Sequence, residues 1–99
     1  MRLKRGVTLL GVSPQVVIGL MAAAAVWRRM GQELVVTSVT DGEHKAGSSH
    51  SRGMAADLRT RYFPVEKRPA VLTALQEALT SEYQCILEPT HIHMQWKPK

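Results

Sequence analysis

The stretch Tyr83-Gln-Cys-Ile-Leu-Glu-Pro-Thr-His-Ile-His-Met-Gln-Trp96 decides how this chain is read. Tyr83–Glu88 and His91–Trp96 read as two strands joined by a short turn at Pro89-Thr90. In the second strand polar and apolar residues interleave, as they do when one face is buried. Ile92, Met94 and Trp96 share a face directed toward apolar packing. His91 and His93 share the other, roughly 7 Å apart along the chain.

Working outward, Val65–Thr80 has helical apolar spacing at Val71, Leu72, Leu75 and Leu79. Pro69 must then lie in or near the first turn, because an interior proline costs about 3 kcal/mol. Met54–Thr60 reads as a short strand in which Asp57 shares a face with Ala55 and Arg59. Thr40–Ser51 is polar and contains glycine, so it is a loop. Glu33–Val39 is rich in Val and Thr and reads as a strand. Pro14–Met30 reads as a helix: Ser13 is its N-cap, Pro14 its first residue, and it ends near Gly31 after Arg28 and Arg29. Val16, Val17, Leu20, Ala24 and Trp27 supply its apolar face. The sum is an α+β domain, a small and mostly antiparallel sheet with two flanking helices.

Ninety-nine residues make one domain, 1–99. Hydrophobic residues are 44% of the chain and charged residues 21%, which excludes disorder. A net charge of +5 and a pI of about 9.9 favour anionic partners. Arg28, Arg29, Lys67, Arg68, Lys97 and Lys99 are scattered and read as solvated. No nucleic-acid motif accompanies them, so no specific nucleic acid is expected. Cys85 is the only cysteine and lies in an apolar run, which makes it core filler rather than a nucleophile. The basic start Met1–Arg5, followed by apolar residues and Ala22–Ala25, has the outline of a signal peptide, but Ser13-Pro14 favours a folded helix. No apolar run approaches the ~20 residues of a membrane span.

Two clusters carry chemistry. The first is Ser48-x-His50-x-x-Gly53-x-Ala55-x-Asp57, the second Glu88-x-x-His91-x-His93. Zinc prefers imidazole and carboxylate donors, and a catalytic zinc keeps three protein ligands and one open position. Gly53 lies between His50 and Asp57, so a turn and a strand, not one helix, would join them. One or both strand histidines could ligate. Glu88 can fold back over the site through the Pro89-Thr90 turn and act as general base. His44 reads as a loop-ordering or solvated imidazole, and Asp41 and Glu43 as turn or surface residues. Arg52, Arg59 and Arg61 could bind a substrate carboxylate, although each alone reads as solvated.

At these residues the chain resembles the zinc D-alanyl-D-alanine carboxypeptidase and dipeptidase family and the related phage endopeptidases. Ser48, His50, Gly53, Ala55 and Asp57 match one family pattern, and His91-x-His93 followed by Met94-Gln95-Trp96 matches the other. The specific motifs cover Ser48–Arg59 and Glu88–Trp96. The resemblance implies zinc held by His50, Asp57 and His93, a catalytic Glu88, and His91 as a supporting or oxyanion group. Some members use Glu-x-x-His with that histidine as ligand, so the third ligand stays open between His91 and His93, with His93 favoured. It further implies a bacterial or phage-encoded protein that cleaves peptidoglycan stem peptides in the cell wall. A non-catalytic zinc module is the rival, since the hedgehog signalling domain shares the site architecture.

Overall fold

The computed structural model describes residues 1–41 and 48–98. Helix α1 spans Pro14–Arg29. The Ser13 hydroxyl accepts from the Val16 N–H at 3.3 Å, Pro14 opens the first turn, and Gly31 follows the helix with φ +90°. Its buried stripe is Val16, Gly19, Leu20, Ala23, Val26 and Trp27. Sequence spacing places Val17 on this face, but Val17 is exposed. One residue past Val16 is ~100° around the helix, which turns it away from a stripe anchored at 16, 20, 23 and 27. Gly19 lets the helix settle onto the sheet, since a Cβ there would crowd Met94 and the Tyr83 ring.

The second helix differs from the expected Val65–Thr80. Val65–Lys67 forms a 3₁₀ turn, and α2 runs Arg68–Ala78. Pro69 is at the start of α2, where its missing N–H leaves no gap in the ladder. Leu79 is already extended, so the helix stops before Thr80. Val71 and Leu75 are buried, with Leu72 and Leu79 packed against them.

Among the described residues, five strands form one sheet in the order β1-β2-β3-β5-β4. They are β1 Arg2–Leu3, β2 Val35–Ser38, β3 Ala55–Arg59, β4 Tyr83–Leu87 and β5 His91–Trp96. All neighbours are antiparallel except β1 and β2, which are parallel. The architecture is the expected α+β sheet with two helices, and β1 is an addition to it. The helices cover one face, where Leu58, Ile92, Met94, Val36 and Ala56 join Leu20, Trp27, Val71 and Leu75 in the core. Burial of this apolar face is what holds so small a sheet together. Neither α1 nor α2 is long and apolar enough to cross a membrane.

Alternation along the strands sends Asp57, Arg59, His91, His93 and Gln95 to the opposite face. A β-bulge interrupts β2 between Val36 and Ser38. It rotates the end of β2 toward that face, beside Asp57.

Candidate metal centre

The centre is built on a cross-strand pair. Asp57 of β3 lies directly opposite His93 of β5, and Arg59 lies opposite His91. Directly opposed residues project to the same face, so the strand register alone brings Asp57, His91 and His93 together.

His50 arrives from the turn before β3. The Ser48 hydroxyl accepts from the Ser51 N–H at 3.2 Å, the Gly53 N–H donates to the His50 carbonyl at 3.0 Å, and Met54 closes onto Ser49 at 2.8 Å. Gly53 has φ +73°, a conformation that favours glycine, and a Cβ there would overlap the Gly11 carbonyl. The Ser13 N–H donates to the Gly53 carbonyl at 2.9 Å, tying this turn to the start of α1. Ser48 and Gly53 thus hold the turn, and Ala55 lets β3 begin in the packed interior.

Hydrogen bonds fix which nitrogen of each candidate ligand imidazole faces inward. His50 Nδ1–H donates to the Val39 carbonyl at 2.7 Å, leaving Nε2 3.2 Å from Asp57 Oδ1. His93 Nε2–H donates to Gln95 Oε1 at 2.9 Å, leaving Nδ1 3.1 Å from the same Asp57 oxygen. Ser49 Oγ also lies 3.3 Å from His93 Nε2, and the Gln95 amide donates to Gln84 Oε1 at 3.1 Å. Outer hydrogen bonds of this kind orient metal-ligating imidazoles.

The donor set suits a cation. One ligand atom from each of His50, Asp57 and His93 falls within 4.8 Å of the others, and the three residues could hold a metal ion. Tetrahedral zinc with bonds of about 2.0–2.2 Å sets its donors roughly 3.3–3.5 Å apart. The two nitrogen–oxygen separations, 3.2 and 3.1 Å, are close to that spacing.

The electrostatics have the same origin. Burial would push the Asp57 carboxyl up, but hydrogen bonds from His50 and His93 and the nearby His91 hold it well below the usual carboxylate range. Burial pulls the His50 pKa down, yet Asp57 and the Val39 carbonyl outweigh it and raise it above 6.5. His93 is raised chiefly by its hydrogen bond to Asp57, against the opposing effect of burial, with Gln95 and the charges of Asp57 and Glu88 adding to it. Two imidazoles held around one carboxylate favour positive charge at the centre.

His91 stands outside this group of three. Its Nε2 is 3.8 Å from Asp57 Oδ1, and its Nδ1 is 3.1 Å from Thr90 Oγ1. Glu88 is at the mouth of the β4–β5 turn, where its N–H donates to the His91 carbonyl at 2.8 Å. It is half-buried, and its charge reaches His93.

Gln95 is a member of the site that the sequence reading passes over. The alternation that pairs His91 with His93 extends one step further to it. Asp41 is a turn residue: its carboxylate accepts from the Val39 N–H at 2.8 Å and the Thr8 N–H at 3.3 Å. Glu43, His44 and Lys99 lie outside the described residues. Cys85 packs against the core, and burial pushes its thiol up to about 11, which suits filler and not a nucleophile. No protein-family model and no curated protein matches the chain.

Proposed function

We propose that the protein is a zinc-dependent peptidase that hydrolyses amide bonds in peptidoglycan stem peptides, including those formed by D-amino acids. The observation that carries this reading is the convergence of His50 Nε2 and His93 Nδ1 on Asp57 Oδ1, with His91 alongside and the charge of Glu88 reaching His93. The choice of zinc follows from the two-imidazole, one-carboxylate donor set. The choice of substrate follows from the two motifs shared with the D-alanyl-D-alanine peptidases.

Bound there, zinc supplies Lewis-acid chemistry, polarising a carbonyl and lowering the pKa of water to about 7. Glu88 takes the proton of the attacking water and returns it to the leaving amine, so the amide and water become a carboxylic acid and an amine. His91 turns Nε2 toward the centre and donates a hydrogen bond to the oxygen on which negative charge develops. Gln95 and the Val39 carbonyl keep the two ligand imidazoles in the required tautomers.

A second reading is a closed, non-catalytic zinc site. The 3.8 Å separation of His91 Nε2 from Asp57 favours it, since a fourth protein ligand would fill the open position. Digestion of purified muropeptides with and without zinc, followed by mass spectrometry, separates the two. Zinc-dependent release of an amino acid or a shortened stem supports the peptidase. Intact muropeptides beside fully zinc-loaded protein overturn it.

A further inference from the structure

Helix α1 buries one apolar face and exposes another. Its outward residues are Val17, Ile18, Met21 and Ala25, with half-buried Ala22 beside them. Ile18 is 60% exposed and Met21 66%. Between Pro14 and Ala25 the only polar side chain is Gln15, and it is half-buried. A surface helix ordinarily turns charged and polar residues to solvent, and one that is apolar all round is ordinarily covered all round. Charge begins only in the last turn, at Arg28 and Arg29. Arg28 lies seven residues beyond Met21 and Arg29 four beyond Ala25, so both extend the outward face. Among the described residues neither forms an ion pair with a carboxylate. Glu33, the next acid along the chain, is engaged by Arg2 at 3.6 Å. Glu82 stands off the face, across a groove on its α2 flank.

We infer that the outer face of α1 docks on an anionic lipid bilayer, with Ile18 and Met21 entering the headgroup boundary and Arg28 and Arg29 meeting lipid phosphates. The inference stands apart from the peptidase reading and holds whatever the metal centre does. Shape and charge choose the occupant. The outer side of a single helix is a convex ridge, and lipid yields around such a ridge without a preformed groove. The long arginine stems can lie along the apolar surface while their heads reach phosphate. A second copy of the chain matches poorly. Antiparallel pairing of two α1 helices would set Arg28 and Arg29 beside the other helix's first turn, which holds no acidic residue and carries the positive end of the helix dipole. Parallel pairing would set arginines against arginines. An anionic bilayer complements both arginines and the net charge of +5. Because α1 covers one face of the sheet, a chain bound this way presents the opposite face, with the candidate metal centre, away from the lipid.

Co-sedimentation of the 99-residue chain with sucrose-loaded vesicles is the test. Vesicles of equal parts phosphatidylglycerol and phosphatidylcholine should carry the protein down. Vesicles of phosphatidylcholine alone should bind it about 10–30-fold more weakly, the effect of two arginines near an anionic surface. Arg28→Gln, Arg29→Gln should weaken binding to the anionic vesicles by a similar factor. Ile18→Gln, Met21→Gln should weaken it by about 10–100-fold through lost apolar burial. All four side chains are exposed, so circular dichroism should show the fold retained. Lys4→Gln, Arg61→Gln removes the same charge from the site face of the sheet and should change binding by no more than about threefold, since salt screens charges held more than ~10 Å from the lipid. Protein left in the supernatant beside anionic vesicles overturns the proposal. Equal losses in the two charge-reduced variants also overturn it, because binding then follows net charge and not α1. A dimer in sedimentation velocity that Ile18→Gln, Met21→Gln dissolves, with no vesicle binding, overturns it in favour of a second copy.

Discussion

Asp57 and His93 are direct partners across β3 and β5, and the imidazole Nδ1 stands 3.1 Å from the carboxylate Oδ1. The pleat of two inner strands, not a loop, sets this separation. Two of the three candidate ligands are therefore as rigid as the sheet, and only His50 depends on a turn.

Metal binding should follow this division. His50→Ala, Asp57→Ala and His93→Ala should each lose the ion, whereas His91→Ala should retain it with a rate lower by about 10–100-fold. Metal analysis of the purified variants, beside their activity, checks the assignment. Metal retained by His93→Ala and lost by His91→Ala would transfer the third ligand to His91.

Glu88→Gln keeps the side-chain shape and removes the proposed base. The rate should fall by about 10²–10⁴-fold with metal content and substrate affinity largely unchanged. Parent-like turnover would remove Glu88 from the mechanism, and loss of metal would make it a ligand.

Much of this was legible from the chain. The period-two pattern of His91–Trp96 located β5, its buried face and its site face. The Ser13-Pro14 start located α1. What escaped has physical causes. Strand β1 is two residues long, too short to show any periodicity, and exists through its pairing with β2. The bulge in β2 depends on its partner strand. Gln95 bears on the site only once the Nε2 of His93 is known to face it.

Gln95→Leu should loosen the hold on His93 without touching a ligand. Metal affinity should drop about 10–100-fold while the fold is kept. Competition with a chelator of known affinity measures this, and unchanged affinity would show that Ser49 alone orients the ring.

The metal-free protein should have a characteristic pH profile. The raised pKa values of His50 and His93 stabilise the fold below about 6.5, and that contribution fades as pH rises through the folded values. The lowered Asp57 pKa stabilises it above 3.8, and that contribution fades as pH falls. Stability should thus peak between these limits. Zinc should reverse the upper limb, because it requires neutral imidazoles. Thermal unfolding against pH, with chelator and with one equivalent of zinc, tests both limbs.

Gly53→Ala should destabilise the protein by about 1–3 kcal/mol or more, through its positive φ and the overlap with Gly11. Denaturant unfolding measures the loss. A parent-like midpoint would mean that the turn before β3 can be rebuilt without glycine.

Asp57 and His93 are 36 residues apart in sequence, with α2 and β4 between them. No ligand set exists until that long segment has closed and β5 has docked against β3, a non-local event of the kind that slows folding. An ion that recognises only the finished pairing has little purchase on the rate of folding and acts on the rate of escape. A metal bound at the candidate centre should therefore also act as a latch. Loading lengthens the lifetime of the native state, and a chelator shortens it, while the time the chain takes to fold stays the same.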